Sequence, residues 1–426
     1  MVSIAVLGVG NRGFEYASFV KYFHKKRAKI TAVCDSNPIR LAEAGKFFRL
    51  PEDKCFADDE SFFAAGKIAD ALFICTQDRD HHKHAVQALD LGYNVLLEKP
   101  VSPLLSECYD LEKRANEKGL YLIVCHVLRY SNHYKKIKEV LRSGDLGEIV
   151  NINHSESIAY FHFAHSYVRG NWHKESASAP SLLAKCCHDI DLIQWFMGRP
   201  CQSLTSHGDL KFFQSENAPP GASLRCLDGC RVKKECPYDA ERLYITDPFY
   251  KATFIKYMGR TLTHKIKSSR ADKYAALENG DYGKCVYHCD NDVMEHQEVF
   301  MDFGDGKTAL HTMSAFTDKM FRKTHITCEK GEIIAQDNKT KLRVNIFGSG
   351  GKNLSTNKVN LSGHVEGDIR LIAAFLKLLN GEDTKVDDMT FIDATLPSHE
   401  IIAAAEHSRR NDGCRVDLKE FLKNEN

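Results

Sequence analysis

The chain opens on an apolar strand that runs directly into a glycine-rich loop. Val2–Leu7 is followed at once by Gly8-Val9-Gly10-Asn11-Arg12-Gly13, and residues 14–25 are compatible with a helix. This order constrains the fold more than any other feature. A dinucleotide's pyrophosphate needs a tight turn, close approach to the backbone and a helix N-terminus aimed at it. Glycines at this spacing allow all three. A second strand, residues 29–34, ends in Asp35. An acid about 20 residues past the loop is placed to meet an adenosine ribose 2′-OH. Its charge disfavours a 2′-phosphate, so NAD is expected rather than NADP. The competing possibility is a glycine-rich turn with no ligand.

The rhythm continues for about 125 residues. Segments 71–75, 94–98 and 120–125 are apolar, and helix-like stretches such as 81–91 separate them. Continuous apolar runs mark strands buried on both faces, and alternation with helices marks a doubly wound parallel sheet. Residues 1–125 therefore read as an α/β Rossmann domain that binds NAD.

Residues 126–426 follow another pattern. Segments 149–156, 298–303, 308–314, 325–328 and 331–335 are strand-like, with Gly304-Asp305-Gly306 as a hairpin turn. Helices are expected over 365–380 and 398–410, closed by Gly381 and Gly413. The second domain is thus α+β on a large, mostly antiparallel open sheet. Residues 205–290 look like a polar, cysteine-bearing insertion in it.

The chain has 426 residues, too many for one ordinary domain. A net charge of +1 carries no nucleic-acid signature. No apolar run approaches the roughly 18 residues of a membrane span. A strand starts within two residues of the N-terminus, so no signal peptide is expected ahead of it, and the 15 cysteines are dispersed. A reducing, cytoplasmic setting is the expectation.

Glu98-Lys99-Pro100 closes the 94–98 strand. Ligands of open α/β sheets bind beyond the carboxyl ends of the strands, so Lys99 falls on the cofactor side. It is either a solvated strand-end lysine or a group that exchanges a proton with an alcohol. The loop from Thr76 to His81 lies at the same sheet edge, where Asp80 could cap the next helix or the loop could touch a ribose. Further on, Lys185 and His188 share a face of a helix expected to begin at Lys185. They are either a surface lysine and a core histidine, or an acid–base relay. Arg169-Gly170-Asn171-Trp172 would supply hydrogen bonds and a stacking ring to a sugar, or else pack on the sheet.

Cys226, Cys230 and Cys236 lie close in sequence, and Cys285 arrives from a distant segment. Four thiolates suit tetrahedral zinc in a structural site. Cys289 and His288 are alternates for the fourth ligand. Iron–sulfur ligation fits these spacings less well, and free thiols are the other reading.

These motifs, with Arg129-Tyr130, Gly144-Asp145-Leu146-Gly147, His188-x-x-Asp191, Gly363-His364…Gly367-Asp368 and Ser398-His399, stand in an order that resembles the Gfo/Idh/MocA oxidoreductases. The resemblance covers nearly the whole chain. It implies NAD(P)-dependent hydride transfer to or from secondary alcohols of sugars, polyols or glycosides, with the substrate held between the two domains. Lys99 matches the family's catalytic lysine and His188 its catalytic histidine. Cofactor contacts then fall to Gly8, Gly10, Asn11, Arg12, Gly13 and Asp35, joined by Thr76, His81, Glu98 and Arg129. Arg169, Asn171, Trp172 and Asp189 are the substrate candidates. Many members carry an aspartate four residues before the histidine. Here that position is Ala184, which leaves Lys185 to take part of the role. The expected partner is a small carbohydrate, and a homo-oligomer is implied. Some relatives oxidise a sugar transiently, eliminate a substituent and reduce the product again. A non-enzymatic NAD(H) sensor would need the loop and Asp35, but not Lys99, Lys185 or His188.

Overall fold

The structure, a computed structural model, describes residues 1–247, 260–356, 363–382 and 389–425. The chain packs as two compact units. One comprises residues 1–98, 160–181 and 210–295, the other residues 99–159, 182–209 and 296–426.

The N-terminal sheet has six strands: β1 (Val2–Leu7), β2 (Ala28–Cys34), β3 (Cys55–Phe56), β4 (Ala71–Ile74), β5 (Asn94–Leu97) and β6 (Leu122–Val124). Their order is β3-β2-β1-β4-β5-β6. β1 pairs in parallel with both β2 and β4, and the chain order reverses there. Such a switch point opens a crevice beyond the strand ends. The glycine loop leaves β1 and the Thr76 loop leaves β4 at this place. All four residues of β4 are buried, which explains its unbroken apolar run. The helix Asn11–Phe23 buries Gly13, Tyr16, Ala17 and Val20, a 3.6-residue stripe laid on the sheet. The sequence pattern runs β4 and β5 one residue too far. The difference is one of assignment at a strand end, because Cys75 N still bonds Leu7 O at 2.8 Å and Glu98 N bonds Ile74 O at 2.9 Å.

The cysteine-bearing insertion packs with this first unit, where the sequence reading attaches it to the second domain. Specific bonds account for the difference. Ile266 N donates to Glu43 Oε2 at 2.5 Å, and Arg260 Nη2 donates to Val9 O at 2.9 Å. The insertion also has a small core of its own, including Ala240, Leu243, Tyr244, Leu262 and Leu277.

The second sheet has nine strands: β7 (Ile149–Ser157), β8 (Ser203–Asp209), β9 (His296–Asp302), β10 (Thr308–Ser314), β11 (Phe321–Cys328), β12 (Gly331–Gln336), β13 (Lys341–Ile346), β14 (Gly350–Ser355) and β15 (Val416–Asp417). Their order is β14-β13-β12-β11-β7-β10-β9-β8-β15. Only the β7–β10 pair is parallel among the described pairings. Burial alternates along β9, β10 and β11, as in a sheet with one covered face. Gly304-Asp305-Gly306, all at positive φ, joins β9 to β10 as expected.

β8, β13, β14 and β15 escape the sequence reading, because Ser203–Asp209 and Gly350–Ser355 are too polar to show an apolar period. The closing helix spans Ile392–Arg410, six residues longer at its start than expected, with Pro397 inside it. The Thr395 and Ser398 hydroxyls bond back to the carbonyls of Ile392 and Thr395 at 2.8 and 2.7 Å in that stretch.

Candidate active site

The glycine loop is shaped by contacts that exclude side chains. Gly8 has φ +86, and a Cβ there would lie 2.5 Å from Cys75 O. A Cβ on Gly13 would lie 1.9 Å from Gly8 O. Gly10 caps the helix Asn11–Phe23 with no side-chain bond, and the first turn holds no acid. Its backbone N–H groups thus lack a side-chain cap, the arrangement an anion uses. Asp35 is buried at the end of β2, where its Oδ1 accepts from Asn37 N at 2.9 Å. These residues fit the pyrophosphate and ribose of a dinucleotide. Gly13→Ala is expected to weaken NAD binding by at least about tenfold and to lower the unfolding temperature. Titration calorimetry and thermal unfolding check both effects.

Other sequence candidates are engaged differently. Arg12 Nε binds Glu98 Oε1 at 2.9 Å, and Tyr16 Oη donates to the same oxygen at 2.7 Å. The Glu98 carboxylate therefore ties the end of β5 to the loop helix. Thr76 Oγ1 lies 3.0 Å from His84 Nδ1. His81 is buried at the start of the helix His81–Asp90, and Asp80 makes no side-chain cap bond there. Of the two roles left open for this loop, capping by Asp80 is not the one formed. Asn171 is exposed, while Trp172 is anchored by Asp78.

Three further candidates are buried and paired within the protein. Arg129 is 4% exposed and grips Asp191 through Nε at 2.7 Å and Nη2 at 2.5 Å. It also donates to Ala394 O, so it braces two helices. Arg169 donates to Lys284 O at 2.7 Å and Tyr238 O at 2.9 Å, beside the insertion. Asp189 is fully buried, bonded by Arg322 Nε at 2.7 Å and 2.8 Å from His154 Nε2.

The zinc expectation finds no support in the side-chain arrangement. Cys226, Cys230, Cys236 and Cys285 line one small pocket. Among the described residues, however, no group of three or more His, Cys, Asp or Glu side chains is arranged to hold a metal. Arg169 lines the same pocket, and its Nη2 lies 3.6 Å from Cys226 Sγ.

The second unit contains a cluster of bases. Lys99 Nζ donates to the Ala184 carbonyl at 2.6 Å. The residue standing where many relatives have aspartate thus receives the lysine through its backbone, one turn before His188. The His188 ring centroid is 5.5 Å from that of His126 and 5.5 Å from that of His364, and His126 is 6.1 Å from His399. His188 is 4% exposed, and its Nδ1 has no hydrogen-bond partner among the described residues. Burial, then the charges of Lys99, His126 and His364, hold its pKa well below the ordinary 6.5. The imidazole is therefore neutral at pH 7 and able to accept a proton.

Sequence reasoning missed His126 and His364 as members of this cluster. A signal for His364 was present in Gly363-His364…Gly367-Asp368. Gly367 brings the helix Gly363–Leu379 against Val127, whose carbonyl oxygen would lie 2.2 Å from a Cβ at that glycine. His126 carried no comparable signal, because it follows β6 as a single polar residue. Lys185 does not join His188. Its Nζ pairs with Glu156 Oε1 at 3.1 Å, while Arg322 Nε lies 2.9 Å from Glu156 Oε2. The helix Ser181–Met197 begins four residues before Lys185. It carries His188 toward the bases and fixes Lys185 and Asp189 in a buried ion network.

A switch-point glycine loop and an acid at the end of β2 are the marks of a dinucleotide-binding fold. Residues 2–126 match the oxidoreductase family with an NAD-binding Rossmann fold, and residues 138–418 match its C-terminal alpha/beta domain. The chain belongs to the Gfo/Idh/MocA family. It is 26% identical over 249 residues to putative oxidoreductase YteT of Bacillus subtilis, a match covering 56% of this chain and 57% of that protein. It is 28% identical over 167 residues to glycosyl hydrolase family 109 protein 2 of Phocaeicola vulgatus, covering 38% of this chain and 39% of that protein. The matches thus span about half the length of these curated relatives, or less. An oxidoreductase from Agrobacterium radiobacter, solved with NAD+, L-tartaric acid and magnesium, has the same fold. Its TM-score is 0.69 at 17% identity, over 99% of each chain.

Proposed function

We propose that the chain transfers hydride between NAD and a carbinol carbon of a sugar, polyol or glycoside. The observation that carries this reading is the buried, neutral His188, one turn from the carbonyl that holds Lys99. Bound NAD supplies a hydride acceptor. The first-turn N–H groups and the glycine loop hold its pyrophosphate, and Asp35 takes the adenosine ribose and disfavours a 2′-phosphate. Lys99 orients the substrate hydroxyl. His188 accepts the hydroxyl proton as the carbinol hydrogen leaves with its electron pair, and a carbonyl results. His126 and His364 fix the plane of the His188 ring.

The test is a panel of sugars and polyols scored for NAD reduction. With an accepted substrate, the acid limb of kcat/KM is expected below 6.5, because His188 must be neutral and its pKa is depressed. Activity falling through 6.5 would remove His188 as the base.

A second reading is favoured by the glycosyl hydrolase relative: transient oxidation, elimination of a substituent and re-reduction, with net glycoside cleavage. It predicts product from catalytic NAD without accumulating NADH.

A cytoplasmic homo-oligomer is part of the proposal. Among the described residues no helix is long and apolar enough to cross a membrane. The large sheet leaves Val150, Phe300 and Ile334 exposed, an apolar surface that a second copy could cover. Light scattering of the purified chain is expected to give a multiple of 48.2 kDa.

A further inference from the structure

The insertion returns to the glycine loop within the first unit. Arg260 Nη2 donates to the Val9 carbonyl at 2.9 Å, and its guanidinium lies 3.7 Å from the centroid of the Phe14 ring. Thr261 Oγ1 accepts from Asn11 Nδ2. His264 Nδ1 lies 2.9 Å from Arg40 Nη2. Arg40 Nη1 in turn lies 3.7 Å from where a Cβ on Gly10 would be. Two guanidiniums therefore flank Val9-Gly10 at the start of a 13-residue helix that has no side-chain cap.

Arg260 is 8% exposed, and its Nε has no hydrogen-bond partner among the described residues. Burying a cation with a donor unmade is costly unless an anion completes it. Burial and the neighbouring Arg40 push Arg260 down to about 10, against the opposing pull of Glu43 and Asp35. An anion at this place would relieve the repulsion between the two arginines and take the Nε–H.

We propose that Arg260 is a pyrophosphate-binding residue, and that residues 260–266, with Arg40, clamp the adenosine diphosphate half of the dinucleotide. Phe14 and the Val9 carbonyl fix the guanidinium, which leaves its Nε–H for a phosphate oxygen. The clamp rests on the reading that NAD occupies the glycine loop. It goes beyond that reading by assigning a cofactor contact to the insertion.

The full chain and its Arg260→Gln and Arg260→Lys variants are titrated calorimetrically with ADP and with adenosine. ADP affinity is expected to fall about tenfold or more in Arg260→Gln, since a charge-assisted bond is lost. Arg260→Lys is expected to recover part of that loss, and adenosine binding to stay unchanged. Equal ADP affinity in wild type and Arg260→Gln would overturn the proposal. So would a parallel loss for adenosine, or equal losses in the Lys and Gln variants, since those mark a packing role. If the wild type binds neither ADP nor NAD, the cofactor reading itself fails and the clamp falls with it.

Discussion

Lys99→Met is expected to lower kcat by about 10²-fold or more, the scale for loss of a group that orients the reacting hydroxyl toward its base. Methionine keeps the length of the side chain and removes the ammonium. The change falls on Lys99 Nζ and its bond to the Ala184 carbonyl, while the loop from Gly8 to Gly13 is untouched. NAD affinity measured by calorimetry should therefore match wild type. Loss of affinity together with activity would mean that Lys99 supports the fold or the cofactor. Unchanged kcat would remove it from the mechanism. The variant has one further expected effect. Lys99 is the first charge, after burial, that holds His188 down, so residual activity should show its acid limb at higher pH than wild type.

The largest expected stability effect comes from Arg322→Met. The Arg322 guanidinium lies 2.9 Å from Glu156 and 2.7 Å from Asp189, and all three side chains are at most 5% exposed. Removing it leaves Glu156 with only Lys185 and Asp189 with only His154, and breaking a buried ion pair costs about 3–5 kcal/mol. Burial opposes ionisation of Asp189, but Arg322 and His154 outweigh it and hold the carboxyl well below its ordinary value. Its stabilising contribution in wild type is thus full above about pH 4 and lost only in stronger acid. In the variant the under-compensated carboxyls titrate upward instead, so the folded state binds protons as pH falls. Urea unfolding should show a gap between the two proteins that is wider at about pH 7 than at about pH 5. A gap that is constant with pH would mean that the network is neutral packing.

The Rossmann half was legible in the sequence because its signals are local. A strand buried on both faces must be apolar throughout, as Ala71–Ile74 is. A loop that touches backbone at Gly8 and Gly13 must be glycine. The second sheet was legible only where one face alternates, as in β9 and β10. β14 has almost no apolar residues, and it is a strand because β13 pairs with it. The site shows the same division. His188 stood out through its helix, whereas Lys185 was misplaced. Its helical face is right, but the choice between His188 and Glu156 depends on β7, some thirty residues earlier in the chain. Arg129, Arg169 and Asp189 looked like ligand-binding residues because they are charged in a motif-rich region. Each is consumed by a partner more than 60 positions away: Asp191 for Arg129, Tyr238 and Lys284 for Arg169, and Arg322 for Asp189. Pairing at such separations leaves no local pattern to read.

The most direct test of the account is a single-turnover experiment with enzyme and NAD at equal concentration. Each member of a sugar, polyol and glycoside panel is added, and nicotinamide reduction is followed by absorbance. At least one compound is expected to produce reduced nicotinamide, persistent for net oxidation and transient for glycoside cleavage, and its rate of formation should fall by about 10²-fold or more in Lys99→Met. A chain that binds NAD yet reduces none of it with any member of the panel, or one whose single-turnover rate is unchanged in Lys99→Met, would contradict the account.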